Sequence, residues 1–249
     1  MSNSYRKNYL SKIIAHRGAS ALAPENTLAA FRKAAEMGAR WVEFDVMLAA
    51  SGEVVVIHDE MLERTTNGIG LVSECSYSYL QTLDAGSWFN AAFAGEKIPT
   101  LVQVLELLCD LDLMANVEIK PASGCEDETV QQVLKVIDEN WPADKKPLLV
   151  SSFSEKVLEC VRKYSSTQPL GFLMDEWQDE WQKKCDALDC ISVHLNKKIV
   201  THSRVEAIHA TNRLLLSYTV DDPLLAKQFF AWNVDAVFSN ALNCDASIL

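Results

Sequence analysis

Two hydrophobic rhythms alternate along this chain. Short continuous apolar runs bounded by polar or Gly/Pro residues read as buried strands, and apolar positions spaced by three or four read as the inner faces of helices. Strand-like runs fall at 13–15, 40–46, 53–58, 114–120, 147–151, 169–174, 190–194, 213–218 and 236–238. Helical spacing is expected from Thr27 to Gly38, with Glu25-Asn26 placed to cap it, and again from Thr100 through Leu101, Val104, Leu105 and Leu108. It continues over 126–139, 154–164, 177–185, 201–210 and 222–231. Between strands 40–46 and 53–58, Ala49-Ala50-Ser51-Gly52 reads as a hairpin turn. If 53–58 is the hairpin return of 40–46, eight strands remain and each of the first seven is followed by a helix. That rhythm predicts an α/β fold, a TIM (β/α)8 barrel with a small insertion after the strand-two hairpin. A doubly wound open sheet is the alternative, weakened because no G-x-G-x-x-G follows the first strand. The alternation lapses from about 60 to 112, which reads as an insertion over one face of a single domain spanning 1–249.

Composition narrows the function. The chain is 49% hydrophobic and 23% charged, ordinary for a globular enzyme. A formal net charge of −11 argues against nucleic acid or an anionic membrane as partner. Any phosphate site must then be built locally from cations. The N-terminus is basic but lacks the apolar core of a signal peptide, and no stretch is long enough to span a bilayer, so no stable membrane anchor is expected. Seven scattered cysteines without C-x-x-C fit reduced thiols, and the cytoplasm is the expected compartment. Periodicity leaves monomer and homodimer both open.

On a barrel, the polar residues that end the strands collect at one rim. His16 and Arg17 close the first strand, Glu43 and Asp45 project together from the second, and Glu118 and Lys120 end the next. The hairpin brings His58 to the same rim. Three carboxylates without a third His or a Cys suit a hard divalent cation, Mg²⁺ or Ca²⁺, better than zinc. Arg17 offers a planar fork for phosphate and Lys120 a point charge. His16 and His58 can serve as a general acid–base pair near neutral pH. Together these describe phosphoryl transfer or phosphodiester cleavage. His194 ends strand 190–194, either facing substrate or packed as a rim histidine. Trp88, Phe89 and Phe93 could line an alcohol pocket, but the insertion needs a core of its own. Glu25 could orient Arg17 or cap a helix. His202 and His209 fall on a helical stretch and read as solvated.

The motifs HRGAS at 16–20, PENT at 24–27, EFDV at 43–46, HDEMLERTTNGIG at 58–70, IPTL at 98–101 and EIKP at 118–121 resemble those of glycerophosphodiester phosphodiesterases, in particular the short, soluble cytosolic bacterial type. SSF at 151–153 and YTVDD at 218–222 extend the likeness to most of the chain. The resemblance implies a metal-dependent hydrolase converting a small glycerophosphodiester, such as glycerophosphocholine or glycerophosphoethanolamine, to glycerol 3-phosphate and an alcohol. It implies His16 and His58 as the acid–base pair, Arg17 and Lys120 as phosphate ligands, and Glu43, Asp45 and Glu118 as metal ligands. A cyclic phosphate intermediate is the implied route, with the order of the two histidines open. A lysophospholipase D acting on lipid, and a non-catalytic phosphate-binding barrel, are the other readings. The net charge counts against the first and the intact set of seven residues against the second. The chain departs from the family's usual last strand in Asn233-Val234-Asp235 and in ending Ser239-Asn240 where Thr-Asp is usual. The first is tolerable if Asn233 adopts positive φ. The second is expected to touch only outer support of the barrel end.

Overall fold

Strand β1 (Ile13–His16) lies between the two ends of a sheet that closes on itself. It pairs in parallel with β2 (Trp41–Leu48) on one side and β9 (Ala236–Ser239) on the other. From β2 the sheet runs through β4 (Met114–Ile119), β5 (Leu149–Ser152), β6 (Leu170–Met174), β7 (Ser192–Asn196) and β8 (Leu214–Tyr218) to β9, every neighbour parallel. The remaining strand, β3 (Val54–Val56), is the antiparallel hairpin partner of the upper end of β2, with Val46 opposite Val56. The fold is therefore a TIM barrel in which the hairpin leaves eight barrel strands among the nine in the sheet. This computed structural model describes residues 10–145 and 148–242. The basic N-terminal stretch before residue 10, Pro147 of the expected strand 147–151 and Cys244 lie outside them.

Helices α1 (Leu28–Glu36), α3 (Leu101–Asp110), α4 (Glu126–Asn140), α5 (Glu155–Tyr164), α6 (Trp181–Ala187), α7 (His202–Ala210) and α8 (Pro223–Ala231) follow the first seven barrel strands, while α2 (Tyr77–Leu80) belongs to the insertion. Their apolar faces meet the outward residues of the strands in one continuous core that includes Phe31, Phe44, Leu105, Val117, Val150, Phe172 and Phe229. Phe31 and Phe44 meet edge to face with ring centroids 5.6 Å apart. Side-chain caps start five of the seven ring helices, all but α4 and α6. Thr100 and Gln103 form a reciprocal capping box at α3, and Thr27, rather than Glu25 or Asn26, caps α1. Asn26 is buried and bonds elsewhere. The inserted segment ends near Ile98, since α3 is the ring helix that packs between α1 and α4, so the expected span of 60 to 112 includes one barrel helix. The insertion has a separate small core of Met47, Val55, Ile57, Leu62, Val72, Leu80, Leu83 and Ile98.

Alternate residues point into the barrel. At its lower end these are Ile14, Trp41, Leu149, Leu214, Leu216, Ala236 and Phe238, an apolar plug. Above the plug the interior turns polar, with Asn116 Nδ2 donating to Ser151 Oγ at 2.9 Å and Ser192 Oγ 2.9 Å from His194 Nε2. Gly171 makes room for that histidine, because a Cβ there would lie 2.6 Å from His194 Nε2. Gly18, at φ +80°, lets the chain after β1 touch α1, where a Cβ would stand 2.7 Å from the backbone of Ala30. Asn233, which stands where the resembled family usually has Gly before Val-Asp, adopts φ 68°, the positive φ its place in the chain was expected to need.

Candidate active site

Parallel register places His16 beside Glu43, and Asp45 beside Glu118, all on the inward face at the carboxyl end. Arg17 turns out of β1 with φ 55°, and its N–H donates to Glu43 Oε2 at 3.0 Å. The Ile57 N–H donates to the Asp45 carbonyl at 3.0 Å, which fixes the end of the hairpin so that His58 arrives over the same rim. The seven residues expected from the sequence thus converge. Six of them, His16, Arg17, Glu43, His58, Glu118 and Lys120, line a cavity of about 100 Å³ together with Asn116, Phe153, Leu173, Tyr218, Thr219 and Phe238. Asp45 lies just behind that wall, almost fully buried.

Oxygens from Glu43, Asp45 and Glu118 approach within 4.8 Å of one another. Burial, with the neighbouring Asp45 carboxylate, drives the Glu118 carboxyl up to about 7 and raises that of Glu43 well above the usual range. Burial pushes Asp45 the same way, but Lys120 and Arg17 outweigh it and hold its carboxyl below the ordinary value. Lys120 Nζ stands 3.4 Å from Asp45 Oδ1 and 3.3 Å from Glu118 Oε1, and Arg17 Nε 3.5 Å from Asp45 Oδ2. Glu43 Oε1 and Glu118 Oε1 are buried without a hydrogen bond. Three converging carboxylates, with Glu43 Oε1 unpartnered and Glu118 Oε1 met only by the Lys120 ammonium, offer hard oxygen ligands to a divalent cation, so the residues present fit such an ion.

Burial and the adjacent Arg17 lower His16 to about 4, while at His58 the lowering by burial is opposed by the Asp45 charge and the Asp59 hydrogen bond. His58 Nδ1 is 2.5 Å from Asp59 Oδ1. Arg64 joins that carboxylate to Glu25, and Glu25 Oε1 in turn accepts from Arg17 Nη1 at 2.7 Å. Glu25 therefore orients Arg17.

Sequence reasoning missed several supports. Asn26 Nδ2 donates to Asp45 Oδ2 at 2.9 Å, a role for the Asn of PENT that helix capping obscured. Asn240 Oδ1 is 2.7 Å from His16 Nδ1, so the last strand's departure reaches an active-site imidazole rather than outer support alone. Tyr218 Oη is buried at the cavity without a hydrogen bond, its ring edge-on to Phe153 at 5.8 Å. Only the YTVDD motif pointed there. His194 is not brought to the cavity. It is fully buried one layer beneath, against Phe238 at 5.3 Å, and burial lowers it to about 3. The strand runs on to Asn196, so His194 is an interior rather than a terminal residue. Trp88, Phe89 and Phe93 pack on one another, centroids 5.7 Å apart, away from the cavity. His209 bonds Asp235 at 2.8 Å instead of facing solvent.

A second depression of about 520 Å³ opens beside the first and shares His58, Glu118, Lys120 and Phe153 with it. Its other walls combine apolar Met47, Met61, Ile119 and Pro121 with Asp59, Glu60, Ser152 and Ser154. No helix among the described residues is long and apolar enough to cross a membrane.

Comparison with known proteins gives a concordant result. The model of the glycerophosphoryl diester phosphodiesterase family matches residues 16–243. A glycerophosphodiester phosphodiesterase of Caldanaerobacter subterraneus subsp. tengcongensis is 35% identical over 228 residues, covering 92% of this chain and 93% of that protein. One from Bacillus subtilis is 30% identical, covering 91% and 82%. The structure of an Oleispira antarctica phosphodiesterase in complex with its product sn-glycerol-3-phosphate superposes with a TM-score of 0.94 at 36% identity, covering 96% of this chain and 97% of that one. With a family match over nearly its whole length and a site assembled from that match's charged residues, the chain belongs to the glycerophosphoryl diester phosphodiesterase family.

Proposed function

We propose that this protein hydrolyses small glycerophosphodiesters to glycerol 3-phosphate and an alcohol, with a divalent cation, Mg²⁺ or Ca²⁺, held by Glu43, Asp45 and Glu118. The observation that carries this reading is the carboxylate triad, its oxygens within 4.8 Å of one another, with Glu43 and Glu118 lining one cavity beside two imidazoles and two cations and Asp45 just behind its wall. Charge favours the same reading. Three ionised carboxylates with Arg17 and Lys120 leave one negative charge, which a divalent ion converts to one positive charge. That complements the single negative charge of a phosphodiester. The ion supplies Lewis-acid polarisation of a phosphoryl oxygen.

Arg17 and Lys120 bind the phosphate and resist charge build-up on its oxygens as the attacking group arrives. The glycerol moiety occupies the enclosed cavity and the alcohol lies toward the open groove beyond His58. One imidazole takes the proton of the adjacent glycerol hydroxyl while that oxygen bonds phosphorus. The P–O bond to the alcohol breaks, and the departing oxygen takes a proton from the other imidazole. Water then opens the cyclic phosphate with the proton transfers reversed. The confined cavity, about 100 Å³, favours a water-soluble glycerol diester over a lipid at the glycerol side.

Purified protein incubated with glycerophosphocholine and Mg²⁺ or Ca²⁺ is expected to release glycerol 3-phosphate, and EDTA or His16→Ala to abolish release. Turnover that ignores EDTA would sink the metal-dependent mechanism, and a preference for lysophospholipid would point to a lipid substrate instead.

A further inference from the structure

Asn240 stands behind His16, immediately after β9, and its amide is locked in one orientation. The Asp221 carboxylate accepts from the Asn240 backbone N–H at 2.7 Å through Oδ1 and from Nδ2 at 2.9 Å through Oδ2. Ser239 Oγ adds a third donor to the same carboxylate at 3.0 Å. A carboxylate kept ionised by such donors has no hydrogen to give, so only the NH₂ end of the amide can face it. The carbonyl end, Oδ1, must then face His16 Nδ1, 2.7 Å away. Ser20 Oγ braces this junction, 2.7 Å from the His16 carbonyl and 2.8 Å from Asn240 Oδ1, with one hydrogen to share between them. An amide oxygen only accepts, so Nδ1 carries the imidazole hydrogen and Nε2 keeps its lone pair. Nε2 is on the cavity side, 3.8 Å from Glu43 Oε2.

We propose that Asp221 and Asn240 together set the tautomer of His16, so that Nε2 is the atom that receives the glycerol hydroxyl proton in the first step. Asn240 is a positioning residue, and Asp221 positions it in turn. The assignment of a step rests on the function proposed above, but the tautomer does not. The two imidazoles are backed differently: His58 by the carboxylate of Asp59, whose negative charge favours a protonated ring, and His16 by a neutral amide oxygen, which supports a protonated ring less. In the proposed step the hydroxyl hydrogen moves to His16 Nε2 as its oxygen bonds phosphorus, and the departing alcohol oxygen takes its hydrogen from His58.

The test is ¹⁵N NMR of histidine-labelled protein at neutral pH with Mg²⁺, the His16 signals identified by their loss in His16→Gln. The wild type is expected to show His16 protonated at Nδ1 and bare at Nε2. Asn240→Leu is expected to mix the tautomers and to lower kcat about 10- to 100-fold, with KM within threefold and Tm within a few degrees. The exchanged pair Asp221→Asn with Asn240→Asp restores the donor–acceptor pattern, because an Asn at 221 can give its NH₂ to an Asp at 240. It is expected to keep the Nδ1–H tautomer and recover most of the lost kcat, where Asn240→Asp alone sets two carboxylates face to face and does not. Wild-type His16 protonated at Nε2 would overturn the proposal whether or not any variant folds. So would Asn240→Leu with unaltered tautomer and kcat, or an exchanged pair no more active than Asn240→Asp alone. A protein that released no glycerol 3-phosphate would refute the proposed function while leaving the tautomer to be read independently.

Discussion

The two arcs of the barrel rim have opposite characters. From β1 through β2 to β4 the rim carries His16, Glu43, Asp45 and Glu118, joined by Arg17, Lys120 and His58, all ionisable, with Asn116 the one uncharged side chain that this arc gives the cavity wall. From β5 round to β9 the cavity wall is Phe153, Leu173, Tyr218, Thr219 and Phe238, none charged at neutral pH. Burial, followed by the Asp175 and Glu118 carboxylates, pushes the Tyr218 phenol up, so it stays a hydroxyl. The difference separates two tasks. Charged groups clustered away from water act strongly on a developing transition state, and they repel one another when nothing intervenes. Neutral walls contribute little to the chemistry but give the cavity its shape and its hydrogen-bond selectivity.

The largest expected effect breaks the charged arc. Glu118→Gln is expected to lower kcat/KM by about 10²–10³-fold, and calorimetric titration with Mg²⁺ or Ca²⁺ should show weaker binding. Unchanged metal affinity would remove Glu118 from the ligand set. The same arc makes a linked prediction about stability. With a folded carboxyl near 7 against an ordinary 4.5, Glu118 binds a proton more tightly folded than unfolded. Metal-free protein should therefore be most stable below about pH 4.5 as far as this group is concerned, and lose on the order of 2–3 kcal/mol as pH rises to 7. Thermal melts in EDTA across that interval should fall with pH. They should fall less in Glu118→Gln, and divalent ions should offset the loss at pH 7 and above.

The neutral arc is expected to respond in stability and selectivity instead. Gly171→Ala forces a methyl group against His194 and should cost about 1–3 kcal/mol in denaturant unfolding, with kcat of the folded fraction nearly unchanged. Tyr218→Phe should lower kcat/KM for a glycerol diester by up to about tenfold. It should hardly alter turnover of the matching diester of propane-1,2-diol, which keeps the attacking hydroxyl and lacks the terminal one. Equal losses on both substrates would mean that Tyr218 shapes the cavity without reading that hydroxyl.

The two arcs were also unequally legible. Motifs such as HRGAS, EFDV and EIKP sit at strand ends, where period-two alternation and barrel register alone bring their charges together. The rest depended on hydrogen bonds across long sequence separations. Asn240 meets His16 across 224 positions, and neither residue type announces the pairing. Asn26 looked like a helix cap because Asn caps helices, yet Thr27 took that role and freed Asn26 for Asp45. The position of His194 turned on where β7 ends. Two residues' difference in that boundary moved it from the rim to the interior, because each step along a strand also carries a side chain deeper.

One consequence of the insertion's separate core concerns the order in which the molecule comes apart. His16 stands on the barrel, whereas His58 follows Val55 and Ile57, which belong to the smaller cluster with Leu62, Leu80 and Ile98. A small core opens at lower free energy than a large one. Hydrogen exchange under mild denaturant should thus find residues 54–98 opening as a unit while β4 to β9 stay protected. Turnover should vanish at a denaturant concentration where the barrel's circular dichroism is still native, inactivation preceding unfolding.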